Sequence, residues 1–415
     1  MNYLYRILSY LLLVLALPVI PFIPRIRDGL PARLGLKRRE IRSARAIWMH
    51  GASAGDLSAL LPMAEAIRDL RPSQDLFVST ITNSGIAMGR TKFSEIAEIG
   101  YAPFDVPFAV RRMVSTVEPV AMVLEYTEIW PNLIAIAKEA GAKVVLVNGR
   151  FSRSRLFWYK VFFGAIGNPL DNMDLLLMRD EYEAERALAL GADPLRVRVT
   201  GNTKFDALIK TAISPEPRGL AEAVGAGHGR LITFGSIHEG EETPVLDTFC
   251  KLRGKFPDVR ALIAPRYIER ARSIVNEARG RGLSASLRST GPGTADVVVL
   301  DTIGELAHAY RYGDIAFVGG SMTGRGGQNI LEPAVHGKVV LFGPHMENFR
   351  DCVSLLVGRG GIMTRNPTQL LSVVSELLPR VPKLKELGEM ARKAVLGTSG
   401  ATRKNVELIL GLLPQ

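Results

Sequence analysis

Past residue 45 the chain alternates short runs of β-branched and apolar residues with segments of helical period, in two separate series. The first reads AIWMH (46–50), LFVSTIT (76–82), AMVLEYT (121–127), KVVLVNG (143–149), LLLMRD (175–180) and VRVTGN (197–202). The second reads RLITFGS (230–236), VRALIAP (259–265), VVVLDT (297–302), IAFVGGS (315–321) and KVVLFGP (338–344). Runs that are apolar at successive positions, not alternate ones, need cover on both faces of a sheet, and intervening helices supply it. The pattern predicts an α/β protein with two parallel sheets, joined by the Pro- and Gly-rich stretch SPEPRGLAEAVGAGHG (214–229). A length of 415 residues exceeds one ordinary core and fits domains at 46–213 and 230–415 with 214–229 as linker.

In open parallel sheets, ligands bind beyond the carboxyl ends of the strands. Polar and glycine residues gather at those ends: His50 to Asp56, Thr127-Glu128, Asn148-Gly149-Arg150, Gly235-Ser236, Pro265-Arg266 and Gly319-Gly320-Ser321. Two Rossmann-like domains with such edges facing a cleft form the GT-B architecture.

The net charge of +11 raises the question of nucleic acid, but its placement answers otherwise. Eight basic residues (Arg25, Arg27, Arg33, Lys37, Arg38, Arg39, Arg42, Arg45) face only Asp28 and Glu40 within residues 25–45. Just before them, ILSYLLLVLALPVIPFIP (7–24) gives eighteen uncharged residues. An apolar stretch with a basic flank points to an anionic membrane surface and to no nucleic acid. Three readings of the segment stay open: a cleaved signal peptide, a spanning helix interrupted by Pro18, Pro21 and Pro24, and a monotopic anchor. Either anchored form makes residues 1–45 an N-terminal anchor helix with its basic flank and places the rest at the cytoplasmic face of the inner membrane. Two cysteines and six histidines show neither a disulfide framework nor metal-ligand spacing, so no metal and no other cofactor is assigned.

GGSMTGRGGQNILEPAVHGK (319–338) carries five glycines in its first nine residues before a helical stretch. Glycine admits close backbone approach, and a helix start offers N–H groups, a combination suited to phosphate or to nothing more than a tight loop. HGASAGDLSALLP (50–62) repeats the logic with Asp56 at the helix start, readable as an N-cap or as a general base. EYTEIWPNL (125–133), NGRFSRS (148–154) and APRYIER (264–270) bring Glu128, Arg150, Arg153 and Arg266 to strand ends. Arginines repeated there suggest an anionic ligand.

With these stretches assembled, the chain resembles the Kdo transferases, which move 3-deoxy-D-manno-octulosonic acid from CMP-Kdo to lipid A precursors. The resemblance runs nearly the whole length, through IWMHGASAGD, YAPFDVP, TEIWPN, NGRFSRS, VTGNTKFD, GSIHEGEE, APRYIER, DTIGEL, FVGGSMTGRGGQNILEPAVHGK and LFGPHMENF. It implies an inverting, metal-independent glycosyltransferase of lipopolysaccharide biosynthesis with a CMP-activated donor and a lipid A-type acceptor. It implies Asp56 as catalytic base, with Ser53, Gly55, Glu128, Asn148, Arg150, Ser152 and Lys204 binding substrate. Ser236, Arg266, Gly326, Gly327, Gln328, Asn329 and Glu332 are implied to bind the nucleotide, Arg266 at its phosphate and Glu332 at ribose hydroxyls. The chain departs from the family pattern where Asp56 replaces a Glu, Tyr126 a Glu, and Tyr267 and Gln328 each a His.

Overall fold

The computed structural model of the protein describes residues 3–23, 27–36, 45–290 and 293–414. Of the expected membrane segment, Pro24 and the basic Arg25, Lys37, Arg38, Arg39 and Arg42 lie outside the described residues. The chain divides into two compact units, Met1–Ala207 with Ser399–Gln415, and Leu208–Thr398.

The first unit is built on β1 (Ile47–His50), β2 (Leu76–Thr80), β3 (Glu98–Tyr101), β4 (Ala121–Glu125), β5 (Lys143–Gly149), β6 (Leu175–Met178) and β7 (Val197–Val199). Their order is β3-β2-β1-β4-β5-β6-β7, with all neighbours parallel. β1, β2 and β4 are buried at every residue, as apolar runs covered on both faces must be. Trp48 shows what such a strand tolerates: it has no exposed surface, sits edge-on to Phe77, and donates its indole N–H to Ser79 Oγ at 2.7 Å. An unpartnered donor at that depth would cost about 1–3 kcal/mol.

Cover comes from helices that include α2 (Ala54–Leu70), α3 (Pro131–Glu139) and α4 (Leu156–Ile166), and α1 (Tyr3–Ala16) packs outside them on α4. A fifth, α5 (Thr203–Ile213), carries the boundary between the units at Ala207/Leu208.

The second unit holds β8 (Arg230–Ile237), β9 (Val259–Pro265), β10 (Ala285–Leu287), β11 (Val297–Val299), β12 (Ile315–Val318), β13 (Val339–Phe342) and β14 (Gly361–Met363). The order is β10-β11-β9-β8-β12-β13-β14, again wholly parallel. Short α6 (Leu331–Val335) follows β12, and the chain ends in α7 (Ala401–Gly411), which packs on α2 of the first unit.

All eleven predicted strands are present. The three that sequence patterning passed over, β3, β10 and β14, are sheet edges whose residues are only partly buried. Domain limits differ from expectation at both ends. The predicted linker 214–229 contributes Leu220 and Val224 to an apolar cluster with Leu231 and Leu262, so it is part of the second unit's core. Residues 399–415 return to the first unit, where Asp206 accepts from Gly400 N at 2.8 Å and Thr402 N at 2.6 Å.

Among the described residues, no helix is long and apolar enough to cross a membrane. α1 has 14 residues, about 21 Å at 1.5 Å per residue against a hydrocarbon core of about 30 Å. It lies along the first unit with its polar side inward: Tyr5 donates to Asp105 Oδ2 at 2.8 Å, Ser9 Oγ accepts from Asn132 Nδ2 at 3.2 Å, and Arg6 pairs with Glu139. Its apolar side faces out, with Leu4, Ile7, Leu11, Leu12, Val14 and Leu15 all exposed. Arg33, expected in the basic membrane flank, is instead buried over the Tyr101 ring at 4.4 Å and donates from Nε to Asp28 O.

Candidate active site

In each sheet the chain reverses its winding at one place, between β1 and β4 and between β8 and β12, and the expected site residues flank both. That is where helices on opposite faces diverge and leave a crevice.

In the first unit, β1 ends at His50 and the small-residue loop delivers the chain to α2, with Ser53 at its N-cap. Asp56 is therefore the third residue of a capping box, not the cap itself: its Oδ2 accepts from Ser53 N at 3.0 Å and from Ser53 Oγ at 2.8 Å. Its Oδ1 lies 3.9 Å from Lys204 Nζ on α5. Lys204 also stands over the Tyr126 ring at 4.1 Å, where the family pattern has a carboxylate. Gly55 is exposed and a Cβ there would meet only Ser53 Oγ at 3.7 Å, so this glycine leaves the helix start open.

β4 stops at Glu125, two residues before the expected end, because Tyr126 turns with φ of 60°. Glu128, just beyond, accepts from Trp130 Nε1 at 2.8 Å and sits 3.5 Å from His50 Nε2. Burial works to raise its pKa, but hydrogen bonding and charge from His50, with the Trp130 bond, hold it below the usual value. Asn148 occupies an irregularity in the β5–β6 pairing with φ of 51°. Its amide donates to both Glu125 oxygens at 3.0 Å and to Thr203 Oγ1 at 2.7 Å, and its Oδ1 accepts from Thr203 N at 2.9 Å. Ser53, Asp56, Lys204 and Asn148 thus share one neighbourhood. Arg150 is exposed, and Ser152 hydrogen-bonds to Ser154 at 2.9 Å, so neither joins it.

In the second unit Ser236 sits in the matching irregularity between β8 and β9, half-buried, with φ of 54°. Arg266 begins the exposed segment after β9, its backbone N–H donating to Ile237 O at 2.8 Å. Asn329 Oδ1 accepts from Leu331 N at 3.1 Å, and Asn329 Nδ2 is 3.5 Å from Glu332 Oε1. Glu332 is pushed up to about 7 by burial, with Asn329 and Arg266 pulling the other way.

The glycine loop answers differently from expectation. The amides of Gly320, Ser321 and Met322 are already filled by the chain's own Glu241 carboxylate, at 2.6, 3.1 and 2.9 Å. The Gly327 amide donates to Gly320 O at 2.8 Å. Gly326 and Gly327 have φ of 84° and 80°, and a Cβ on them would meet Asn348 Nδ2 at 2.2 Å and Met346 Sδ at 2.3 Å. Their small size is therefore demanded from within. α6 has only five residues and carries little dipole to offer an anion. Gln328 reaches His238, Nε2 to Nε2 at 3.1 Å, and His238 stands edge-on to Tyr267 at 5.9 Å. Burial and the charges of Arg266 and Arg325 hold His238 below its ordinary pKa against Glu241 and Glu242. His238 and Glu241 lie in the quoted GSIHEGEE stretch, yet spacing alone singled out neither.

A cavity of about 800 Å³ lies at the amino ends of β1, β4 and β5, lined by Arg45, Val120 and Lys143, and holds none of these residues.

A sequence profile of the family described as 3-deoxy-D-manno-octulosonic-acid transferase (kdotransferase) matches residues 28–207. The 3-deoxy-D-manno-octulosonic acid transferase of Bordetella pertussis is 29% identical, over 91% of this chain and 90% of its own. That of Haemophilus influenzae is 27% identical, over 93% and 92%. Over most of its length the chain is similar to Kdo transferases. The family profile takes in Ser53, Asp56, Glu128, Asn148 and Lys204. Among solved structures, a UDP-GlcNAc 2-epimerase from Neisseria meningitidis aligns with a TM-score of 0.64 at 12% identity, over 88% of this chain and 100% of that one. A glycosyltransferase from Rickettsia africae aligns at 0.59 and 12%, over 89% and 99%. At such identity the likeness shows the fold alone, and it places this Kdo transferase relative among GT-B-like proteins.

Proposed function

We propose that this chain transfers Kdo from CMP-Kdo to a lipid A-type acceptor in lipopolysaccharide biosynthesis, by a single inverting displacement with Asp56 as general base. The observation that carries the residue assignment is the split use of the Asp56 carboxylate. Oδ2 is pinned by two Ser53 donors, and Oδ1 is presented beside Lys204 at the sheet's reversal point. Oδ1 takes the proton of an acceptor hydroxyl as its oxygen bonds to the anomeric carbon, and the bond from that carbon to the CMP phosphate oxygen breaks. Lys204 stands beside Asp56 Oδ1 and, with Arg150 and Ser152 beyond β5, meets acidic groups of the acceptor. Arg266 balances charge on the departing phosphate, and Ser236, Gln328, Asn329 and Glu332 hold the nucleotide.

The lipid acceptor gives the outward apolar surfaces a role. α4 exposes Phe157, Trp158, Val161 and Phe162, and Phe162 meets Tyr5 of α1 edge-on at 6.0 Å. Exposed Arg153, Arg155 and Lys160 flank them. Two neighbouring helices with lipid-compatible outer faces and basic edges support a monotopic seat on an anionic inner-membrane leaflet. Sequence reading found α1 but missed α4, although RLFWYKVFFGAI (155–166) carries its own apolar signal.

Mass spectrometry of a lipid IVA-type acceptor incubated with CMP-Kdo tests the reading. The wild-type chain is expected to add the mass of Kdo, and Asp56→Asn to add it about 100- to 10,000-fold more slowly. An unmodified acceptor with the folded wild-type chain sinks the proposal.

A further inference from the structure

The proposed reaction leaves one buried acid of the same site without a role. Glu125, at the carboxyl end of β4, has no exposed surface. Its partner Asn148 continues to Thr203, whose hydroxyl donates to Ala59 O at 2.9 Å on α2, and the residue after Thr203 is Lys204. This chain of bonds joins β4, β5, α5 and α2, the elements that carry Asp56 and its cation. Packing alone does not call for it, since an apolar residue at Glu125 would fill the space without burying an acid.

We propose that Glu125 is a positioning residue for the Asp56 base: it orients Asn148, Asn148 fixes Thr203 in the first turn of α5, and Thr203 sets Lys204 against Asp56 Oδ1. The proposal rests on the reading of Asp56 as base. The charged groups around Glu125 are Asp56 on α2, Glu128 beyond β4 and Lys204 on α5. Burial pushes Glu125 up to about 8, against the pull of Asn148 and Lys204, so at pH 7 it is neutral and leaves Lys204 to Asp56. Once it ionises, two carboxylates compete for one cation.

A double-variant cycle on the full chain tests this, reading kcat and KM for Kdo transfer to a lipid IVA-type acceptor, with CMP affinity and melting temperature alongside. Glu125→Leu drops the Asn148 bond and is expected to lower kcat about 10- to 100-fold with CMP affinity unchanged. Glu125→Gln keeps an acceptor for Asn148 and is expected to retain kcat at pH 7 while losing the wild-type fall in rate near pH 8. Added to Asp56→Asn, Glu125→Leu is expected to cost nothing further, because both act through one carboxylate. Multiplied losses in the double variant overturn the positioning role, and so does wild-type kcat in a folded Glu125→Leu. If the Leu variant does not fold, Glu125→Gln decides: a kcat at pH 7 as low as that of Asp56→Asn makes Glu125 a proton carrier and overturns the proposal. Full turnover by Asp56→Asn removes the base assignment and the relay together, whereas a slow Asp56→Asn with multiplied losses removes the relay alone.

Discussion

In the proposed reaction Asp56 does two jobs with two oxygens, and the division makes its role separable by experiment. Asn at this position keeps an oxygen for the Ser53 donors, so the helix start survives, while the proton acceptor at Oδ1 is gone. Asp56→Asn is expected to lose about 100- to 10,000-fold in turnover, the usual worth of a general base, with its melting temperature and CMP affinity near wild type. Glu125 offers a second residue-scale test, in stability. Its pKa is raised from 4.5 to about 8 in the folded chain, so the native state holds this proton more tightly than the unfolded one. The stabilisation from that proton is complete below pH 4.5 and is lost as pH rises through about 8. Glu125→Gln does not titrate, so its melting temperature is expected to gain on wild type steadily between those limits, and a pH-independent difference would count against a buried acid.

Among elements, the loop after β12 shows that a glycine-rich stretch can be demanded by contacts inside the fold. Three of its amides converge on Glu241, a buried acid supplied by the segment after β8. Removing that carboxylate strands several buried donors at about 1–3 kcal/mol each. Glu241→Ala is therefore expected to lower stability by at least about 3 kcal/mol in chemical denaturation, whether or not CMP is present. Gly327→Ala is expected to destabilise the ligand-free chain too, because its φ of 80° and the Met346 contact oppose any Cβ. Loss of CMP affinity in a fully stable Gly327→Ala would restore the closer-approach reading. Strands β5 and β8 share another device near their carboxyl ends: Asn148 and Ser236 each take a left-handed conformation at a pairing irregularity.

At the scale of the whole molecule, the exposed apolar surface is concentrated on α1 and α4 of the first unit, and its outer residues do nothing for the core. Phe157 and Trp158 are each 67% exposed. Burial of a large apolar side chain contributes about 1.5–3 kcal/mol, so replacing both with Ser is expected to weaken binding to anionic vesicles at least about 10-fold in sedimentation, without changing the melting temperature. Vesicle binding equal to wild type would assign the membrane contact elsewhere. The C-terminal helix α7 belongs to the same unit only through tertiary contacts. Asp206→Ala, which deletes its two amide anchors at Gly400 and Thr402, is expected to destabilise the first unit by about 1–3 kcal/mol.

Sequence alone determined the two parallel sheets, because β1, β2, β4, β5 and β9 carry apolar residues at successive positions, which a doubly covered sheet accepts. It determined that polar residues gather at the carboxyl strand ends, since strand direction and chain order are enough to say so. The edge strands EIGY, ASL and GIM escaped because partial burial relaxes the apolar requirement that made the others legible. Tertiary structure decided what no spacing encodes: that Ser53 caps α2, that Lys204 arrives beside Asp56 from a helix some 150 residues later, and that Arg33 is buried, not free for lipid. It decided, too, that Glu241 fills the glycine loop and that residues 399–415 rejoin the first unit. Each of these depends on partners far apart in the chain, and local propensity carries no information about which distant residue will satisfy a buried charge or an unpaired amide.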